Sequence, residues 1–193
     1  GDVLTLYLND ETADAVTVTV GDGNDLSGVD LYQNYLITRH DNGGSLTSAN
    51  LDTANNNGDA DITAIYTFTS SELDMAAGKL LLIPTGHTFA PGANVTDIGG
   101  TVINGGTLAL ATYTVTVTGN WTYTSGSVTA TTGVVLFSPG TITITGSHTI
   151  TNATFFSNAS NETVTIAGGT TLTVSGTLIF DGSSSSAGMD INT

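Results

Sequence analysis

The residues best suited to chemistry in this chain are oxygen donors set in glycine-rich turns. Gly21-Asp22-Gly23-Asn24-Asp25-Leu26 gathers two carboxylates and an amide around two glycines, where carbonyl and carboxylate oxygens can converge on a hard cation such as calcium. A second cluster, Asn55-Asn56-Asn57-Gly58-Asp59-Ala60-Asp61, adds Asp59 and Asp61, although its spacing lacks the closing Glu of an EF-hand loop. Asp22, Asn24, Asp25, Asp59 and Asp61 are therefore the candidate metal ligands, with calcium the candidate ion; a plain solvated turn is the favoured reading at both clusters, and no cofactor is expected to be required. Trp121 and Tyr123 stand at alternate positions, so on a strand their rings share one face and are candidate platforms for stacking on a glycan. Burial in a core is the competing fate of a lone Trp. Five Asn-x-Ser/Thr sequons, at Asn94, Asn120, Asn152, Asn158 and Asn161, are candidate glycosylation sites for a chain displayed outside a cell.

Catalysis has little to draw on. His40, His87 and His148 are scattered, with no spacing that suggests a metal pair or a triad. A proton-abstracting lyase would have only Arg39 and Lys79 as basic side chains, and both precede the repetitive stretch. A glycosidase needs two carboxylates facing one cleft, whereas acids are sparse in that stretch. The chain is therefore expected to be non-enzymatic. Thr-x-Thr pairs raise ice binding as a third class, but those starting at Thr114, Thr141, Thr163 and Thr171 step by 27, 22 and 8 residues, too unevenly for a flat ladder.

Charge narrows the partners. The net charge is −15, which excludes nucleic acid and anionic lipid as natural counterparts and favours cations. Thirteen of the seventeen acids lie between Asp2 and Asp74, and their mutual repulsion is what bound cations would relieve. Only 10% of residues are charged while 39% are hydrophobic, so the chain has a core to bury and a surface built from Thr, Ser, Asn and Gly. Cysteine is absent, which removes disulfides and thiolate chemistry. No apolar run is long enough to insert in a membrane as a helix. The opening Gly1-Asp2 fits a processed mature end or an excised segment alike.

The elements that must position these residues are short strands. Single glycines at 119, 126, 133, 140 and 146 cut a Thr- and Val-rich stretch into pieces of strand length. Within it Thr114-Val115-Thr116-Val117-Thr118 and Thr141-Ile142-Thr143-Ile144-Thr145 alternate, apolar inward and Thr outward. The expected fold is all-β, a parallel β-solenoid with coils of roughly 20 residues. A β-sandwich or jelly roll is the alternative, since Asn104-Gly105 would suit a tight hairpin. Three regions are expected: an acidic β-rich part over 1–76, the solenoid over 77–182, and a tail over 183–193 that is flexible or begins a further coil. In the first part strands are read at Val3–Leu8, Ala15–Val20, Leu31–Thr38 and Ile62–Thr69, with a long loop from Asp41 to Asp61. One helical turn is read around Met75-Ala76-Ala77.

Thr118-Gly119-Asn120-Trp121-Thr122, Thr132-Gly133-Val134-Val135-Leu136-Phe137, Ile144-Thr145-Gly146-Ser147 and Thr173-Val174-Ser175-Gly176-Thr177-Leu178 together resemble the Gly/Thr-rich repeats of bacterial surface and secreted adhesin-like proteins. The resemblance covers roughly residues 80–180. It implies a right-handed parallel β-helix with a structural role and no catalytic residues to carry over. The turn at Asp22 similarly resembles one calcium-binding nonapeptide of the repeats-in-toxin type, though Ser27 stands where an apolar residue should follow and only one copy is present.

Together these readings predict a secreted structural protein, extracellular or on the cell surface, that polymerises with itself into a filament. No cap is visible in the sequence, so open sheet edges become contacts. The assembly strand is expected at Val3, Leu4, Leu6 and Leu8, pairing with a neighbour by strand addition, with cations bridging the acids. The alternative is an adhesin module that binds glycan or another surface.

Overall fold

The computed structural model describes residues 1–55, 58–69, 72–138, 140–158 and 162–182, and the backbone of 189–192; the side chain of residue 97 is not described. The chain opens with β1 (Val3–Tyr7) antiparallel to β2 (Val16–Val20), and β3 (Tyr35–Thr38) lies parallel to β2. Helices α1 (Ser48–Asn55) and α2 (Ala60–Thr63) follow, then β4 (Tyr66–Thr69) antiparallel to β5 (Glu72–Met75). From β6 (Leu80–Pro84) the chain winds continuously through β7 (Thr88–Phe89), β8 (Val95–Ile98), β9 (Thr101–Ala111), β10 (Thr114–Val117), β11 (Trp121–Ala130) and β12 (Val134–Phe137). It goes on through β13 (Thr141–Thr145), β14 (His148–Ile150), β15 (Ala153–Ser157), β16 (Glu162–Ile166), β17 (Leu172–Val174), β18 (Leu178–Gly182) and β19 (Met189–Asn192).

These strands stack into a parallel β-solenoid of about eight turns, 51% strand against 7% helix. One face carries β1-β2-β3-β6-β9-β11-β13-β16-β19, and a second carries β18-β15-β12-β10-β8-β5-β4. The third is made by β7, the later halves of β9 and β11, and the pair β14-β17. Leu81, Thr101 and Trp121 stand one above another, 20 residues apart each time, and Val95, Val115 and Val135 repeat that step on the second face. The expected coil length therefore holds. The sandwich alternative falls, because the described ladders are parallel except for β1 with β2 and β4 with β5. Asn104-Gly105 is a bend, not a hairpin: Gly105 at φ +79° carries β9 round a corner from the first face to the third.

Alternation decides which residues face inward. Val115, Val117, Val135, Phe137, Ile142, Ile144 and Val164 are buried in one continuous core, while the threonines between them look outward. Each fully buried side chain of this size contributes about 1.5–3 kcal/mol. That core does not stop at residue 76. Val16, Val18, Leu36, Leu51 and Ile62 belong to it, and β3 pairs directly with β6 across the expected boundary.

The first part departs from the sequence reading in its detail. The segment read as a loop holds α1 and the start of α2, whose Ile62 and Thr63 were expected in a strand that begins only at Tyr66, and the helical turn expected around Met75 is instead the end of strand β5. Thr47 and Asn50 cap α1 reciprocally: the Thr47 Oγ1 accepts from the Asn50 N–H at 3.3 Å, and the Asn50 Oδ1 accepts from the Thr47 N–H at 3.0 Å. α1 packs on β1, β2, β4 and β5, so it lies across the first coil with Leu51 fully buried. The Tyr66 hydroxyl donates to the Leu51 carbonyl at 3.1 Å, and burial drives its pKa far up. The solenoid is thus closed at its N-terminal end, where no cap was expected.

Corners stack backbone on backbone. A side chain at Gly119 would run into the carbonyl oxygen of Gly99 in the coil beneath, whereas Gly168 has open space around its Cα. We expect Gly119→Ala to cost about 1–3 kcal/mol or more, and Gly168→Ala to stay within about 0.5 kcal/mol, as measured by circular-dichroism melts; equal costs would contradict this stacking.

Candidate functional site

Chemically diverse side chains gather where the segment 21–34 folds over the outer face of β2, β3 and β6. All five residues of β2 are buried, because this segment covers the side that would otherwise meet solvent. Arg39 clamps it down. The guanidinium, 6% exposed, donates from Nη1 to the Gly28 carbonyl at 2.8 Å and from Nη2 to the Ser27 carbonyl at 3.2 Å. Its Nε donates to Asp41 at 3.0 Å, and Asp41 also accepts from the Thr19 hydroxyl. Burial works against the Asp41 charge, but the bonds from Arg39 and Thr19 outweigh it and hold the carboxyl below its usual range. The other cation is spent in the same way, with the Lys79 ammonium 2.7 Å from Asp14 and donating to the Asn34 Oδ1 at 2.9 Å.

His87 lies beside this network. Its Nδ1 is 2.9 Å from the His40 carbonyl oxygen, and the two imidazoles meet edge to face with centroids 5.3 Å apart. Burial lowers the pKa of both. Ile37 and Leu82 floor a cavity of about 240 Å³ walled by Asp30, Tyr32, Thr85 and His87. Sequence spacing had no means of joining these residues, since they come from three coils and an overlying loop.

The candidates named from sequence stand at separate places in the fold. Asp22 accepts from the backbone N and the Nδ2 of Asn24, at 2.9 and 2.8 Å, and these bonds lower its pKa. Asp59 caps α2 by accepting from the Asp61 N–H at 2.9 Å and also takes the Tyr7 hydroxyl at 3.1 Å. Asp61 accepts from the Asp10 N–H at 2.8 Å, so this pair pins α2 to the end of β1. Among the described residues, no three His, Asp or Glu side chains gather into a metal-binding group. Asp22 and Asn24 close a bend between themselves, with Asp25 exposed beside them.

Trp121 is fully buried, so it offers no face to a sugar. Its Nε1 donates to the His148 Nε2 at 2.9 Å, which leaves the proton on Nδ1 to donate to the Gly146 carbonyl at 2.7 Å. Tyr123 lies nearly parallel to the same imidazole at 4.7 Å. Trp121 is therefore core and not the platform expected of it, while Tyr123 is half-buried against that core.

Three of the sequon asparagines stand at corners and stitch coils together. Asn94, Asn120 and Asn152 accept through Oδ1 from the N–H of Thr114, Thr143 and Thr177 in the next coil, at 2.9 to 3.0 Å. Asn152 also donates Nδ2 to the Gly133 carbonyl at 3.1 Å, which engages the nitrogen a glycan would need. Asn158 is exposed, and Asn161 lies outside the described residues. Thr141 and Thr143 stand beside Thr163 and Thr165, so the threonine ladder extends across two coils there. In the assembly strand, Val3, Leu4 and Leu6 sit on β1, whose inner edge is already paired with β2; Leu4 is 40% exposed, and the Leu8 N–H bonds the Ala15 carbonyl just beyond.

Compared with known proteins, the chain matches no family model, no curated protein and no solved structure. Among the described residues, no helix is long and apolar enough to cross a membrane.

The histidines set a pH dependence. Burial lowers the pKa of His40, His87 and His148, so each takes a proton less readily folded than unfolded. Acidification through the unfolded value of about 6.5 therefore protonates the unfolded chain first, and stability present above that pH is lost below it. The melting temperature should fall between about pH 7 and pH 5, before the carboxylates titrate; a flat profile over that window would show that the imidazoles are not held neutral.

Proposed function

We propose that this protein is a non-enzymatic structural element, displayed outside the cell, that assembles with copies of itself through the C-terminal end of its solenoid. The observation that carries this reading is the exposure of Leu178, Ile179 and Phe180 on β18, at 45%, 46% and 57%. Phe180 continues a stack in which Phe137 and Phe155 are buried, with centroids 5.0 and then 5.5 Å apart. Leu178 likewise follows Ala153 and Val135, both buried. These are inward-facing positions of a core whose last layer is uncovered among the described residues, on a strand that pairs on one side only. Exposed apolar area of this kind marks an interaction surface.

A second copy is the occupant this end favours. A twofold contact sets β18 antiparallel to β18 of the other copy, continuing the sheet and covering both apolar layers. The N-terminal end is a poor partner for it, because α1 presents Asp52 and Thr53 to solvent there and most of the acids lie nearby. Extension from pairs to filaments would then run through the free outer edge of β1, with calcium or other cations screening the carboxylates.

Sedimentation velocity should show a concentration-dependent dimer, and larger species with calcium that chelator disperses. Replacing both Leu178 and Phe180 with Lys should leave a monomer whose melt resembles the parent's, since both side chains are already half in water. A wild-type chain that stays monomeric at every concentration and ionic condition would refute the proposal.

A further inference from the structure

The cavity beside Arg39 is one end of a longer groove. A second space of about 480 Å³, lined by Gln33, Tyr35 and Val102 among others, shares Tyr32, Leu82 and Asn104 with the first. The floor is apolar, formed by Ile37, Leu82 and Val102 on the outer face of the first sheet. The wall is the segment that Arg39 holds by its carbonyls, so the groove exists before any ligand arrives. At its rim Tyr32 is 48% exposed, an unusual state for a large ring on a protein that buries its only Trp. The ring is braced from two sides, by Tyr35 edge-on at 6.1 Å and by a bond from its hydroxyl to Asp30 at 3.3 Å.

We propose that this groove binds a neutral oligosaccharide, with Tyr32 as the stacking platform and Asp30, Gln33, Thr85 and Asn104 as hydrogen-bonding partners for its hydroxyls. The negative face of an aromatic ring attracts the polarised C–H bonds of a pyranose, and a braced ring loses little freedom on binding. Amide, hydroxyl and carboxylate groups around an apolar floor match a ligand that is apolar on its ring faces and hydroxylated at its edges. Charge selects against anionic sugars. The single guanidinium in the groove is already neutralised by Asp41, and the rest of the chain is strongly acidic. A basic peptide is the lesser fit, because Asp30 is the one carboxylate that lines the groove and the Arg39 guanidinium lines it too. Strand addition is not on offer either, since the floor is the face of a sheet and not its edge. This inference does not depend on self-assembly, because the groove lies on the side of the solenoid, away from β18.

The test is an NMR titration with cellohexaose, mannohexaose, xylohexaose and chitohexaose, with octalysine in parallel. The expected result is saturable shifts at Tyr32, Gln33 and Asn104 for at least one of these sugars, at millimolar or tighter affinity. Tyr32→Ala should weaken that binding at least tenfold while leaving the melting temperature and the sedimentation behaviour unchanged. The proposal is overturned if none of the sugars shifts these resonances, if Tyr32→Ala binds as the parent does, or if octalysine alone occupies the groove. Loss of sugar binding with intact dimers would remove this inference and leave the assembly reading standing; loss of dimers with intact sugar binding would do the reverse.

Discussion

Parallel stacking imposes one demand from which most of this structure follows: whatever a coil does at one position, the coil above must tolerate about 4.8 Å away. Corners feel it first, because there the chain turns within a few atoms of the turn below. Gly119 sits over the Gly99 carbonyl, Gly126 over that of Gly106, and Gly146 over that of Tyr123, and none of these sites has room for a Cβ. Where a corner does carry a side chain, it is one that serves the next coil. Asn94, Asn120 and Asn152 each reach a backbone N–H one turn on, supplying a partner to donors that the bend has taken out of the strand ladders. The recurrence of these asparagines ahead of small hydroxyl residues has a structural cause, whatever else becomes of them.

The same demand explains the charge distribution. A carboxylate repeated on successive coils would face its neighbour at about 4.8 Å, a repulsion of roughly 0.9 kcal/mol per pair in water and more beside protein. From residue 80 to 182 the outward positions are therefore mostly threonine, as in the pairs Thr141 with Thr163 and Thr143 with Thr165. The acids collect where the chain leaves the stack, around Asp10, Asp22 and Asp59 and on α1 at Asp52. There several carboxylates work locally: Asp59 caps α2, Asp22 closes its bend and Asp41 neutralises Arg39.

How far the fold could be read from sequence tracks that regularity. Val115, Val117, Ile142 and Ile144 announce inward rungs because period-two alternation is the direct consequence of strand geometry. The step of about 20 residues was legible from the glycines at 119, 126, 133, 140 and 146, which mark pieces of strand length, three to a coil. α1 was not, since Ser48–Asn55 carries little periodic signal and only Ser48, Leu51 and Ala54 are buried; it is helical because the first coil needs its end covered and Thr47 with Asn50 supplies the cap. For Trp121 the sequence leaves platform and core both open, because alternation with Tyr123 says that two residues share a face and not which face it is; the structure chooses core. The Arg39 clamp and the groove it props open join residues 28–33, 82–87 and 102–104, separations that no local pattern encodes.

The two ends of the solenoid differ in the way that matters for association. At the start, α1 and the turned-back strands β1 and β4 fill the core and leave polar groups outward, so the last apolar layer is satisfied within the chain. Among the described residues, the column Phe137, Phe155, Phe180 ends on a ring that is more than half exposed. A stack open at both ends has no reason to stop adding copies, and repeat proteins need caps for that reason. A stack open at one end buries its bare layer once, against another bare layer, and the contact is then complete. In the assembly proposed above, growth past a pair would use the backbone edge of β1, beside most of the acids, where ions would govern association. That proposal thus rests on one physical asymmetry, an apolar layer at one end and carboxylates displaced from the stacked coils into the cap at the other.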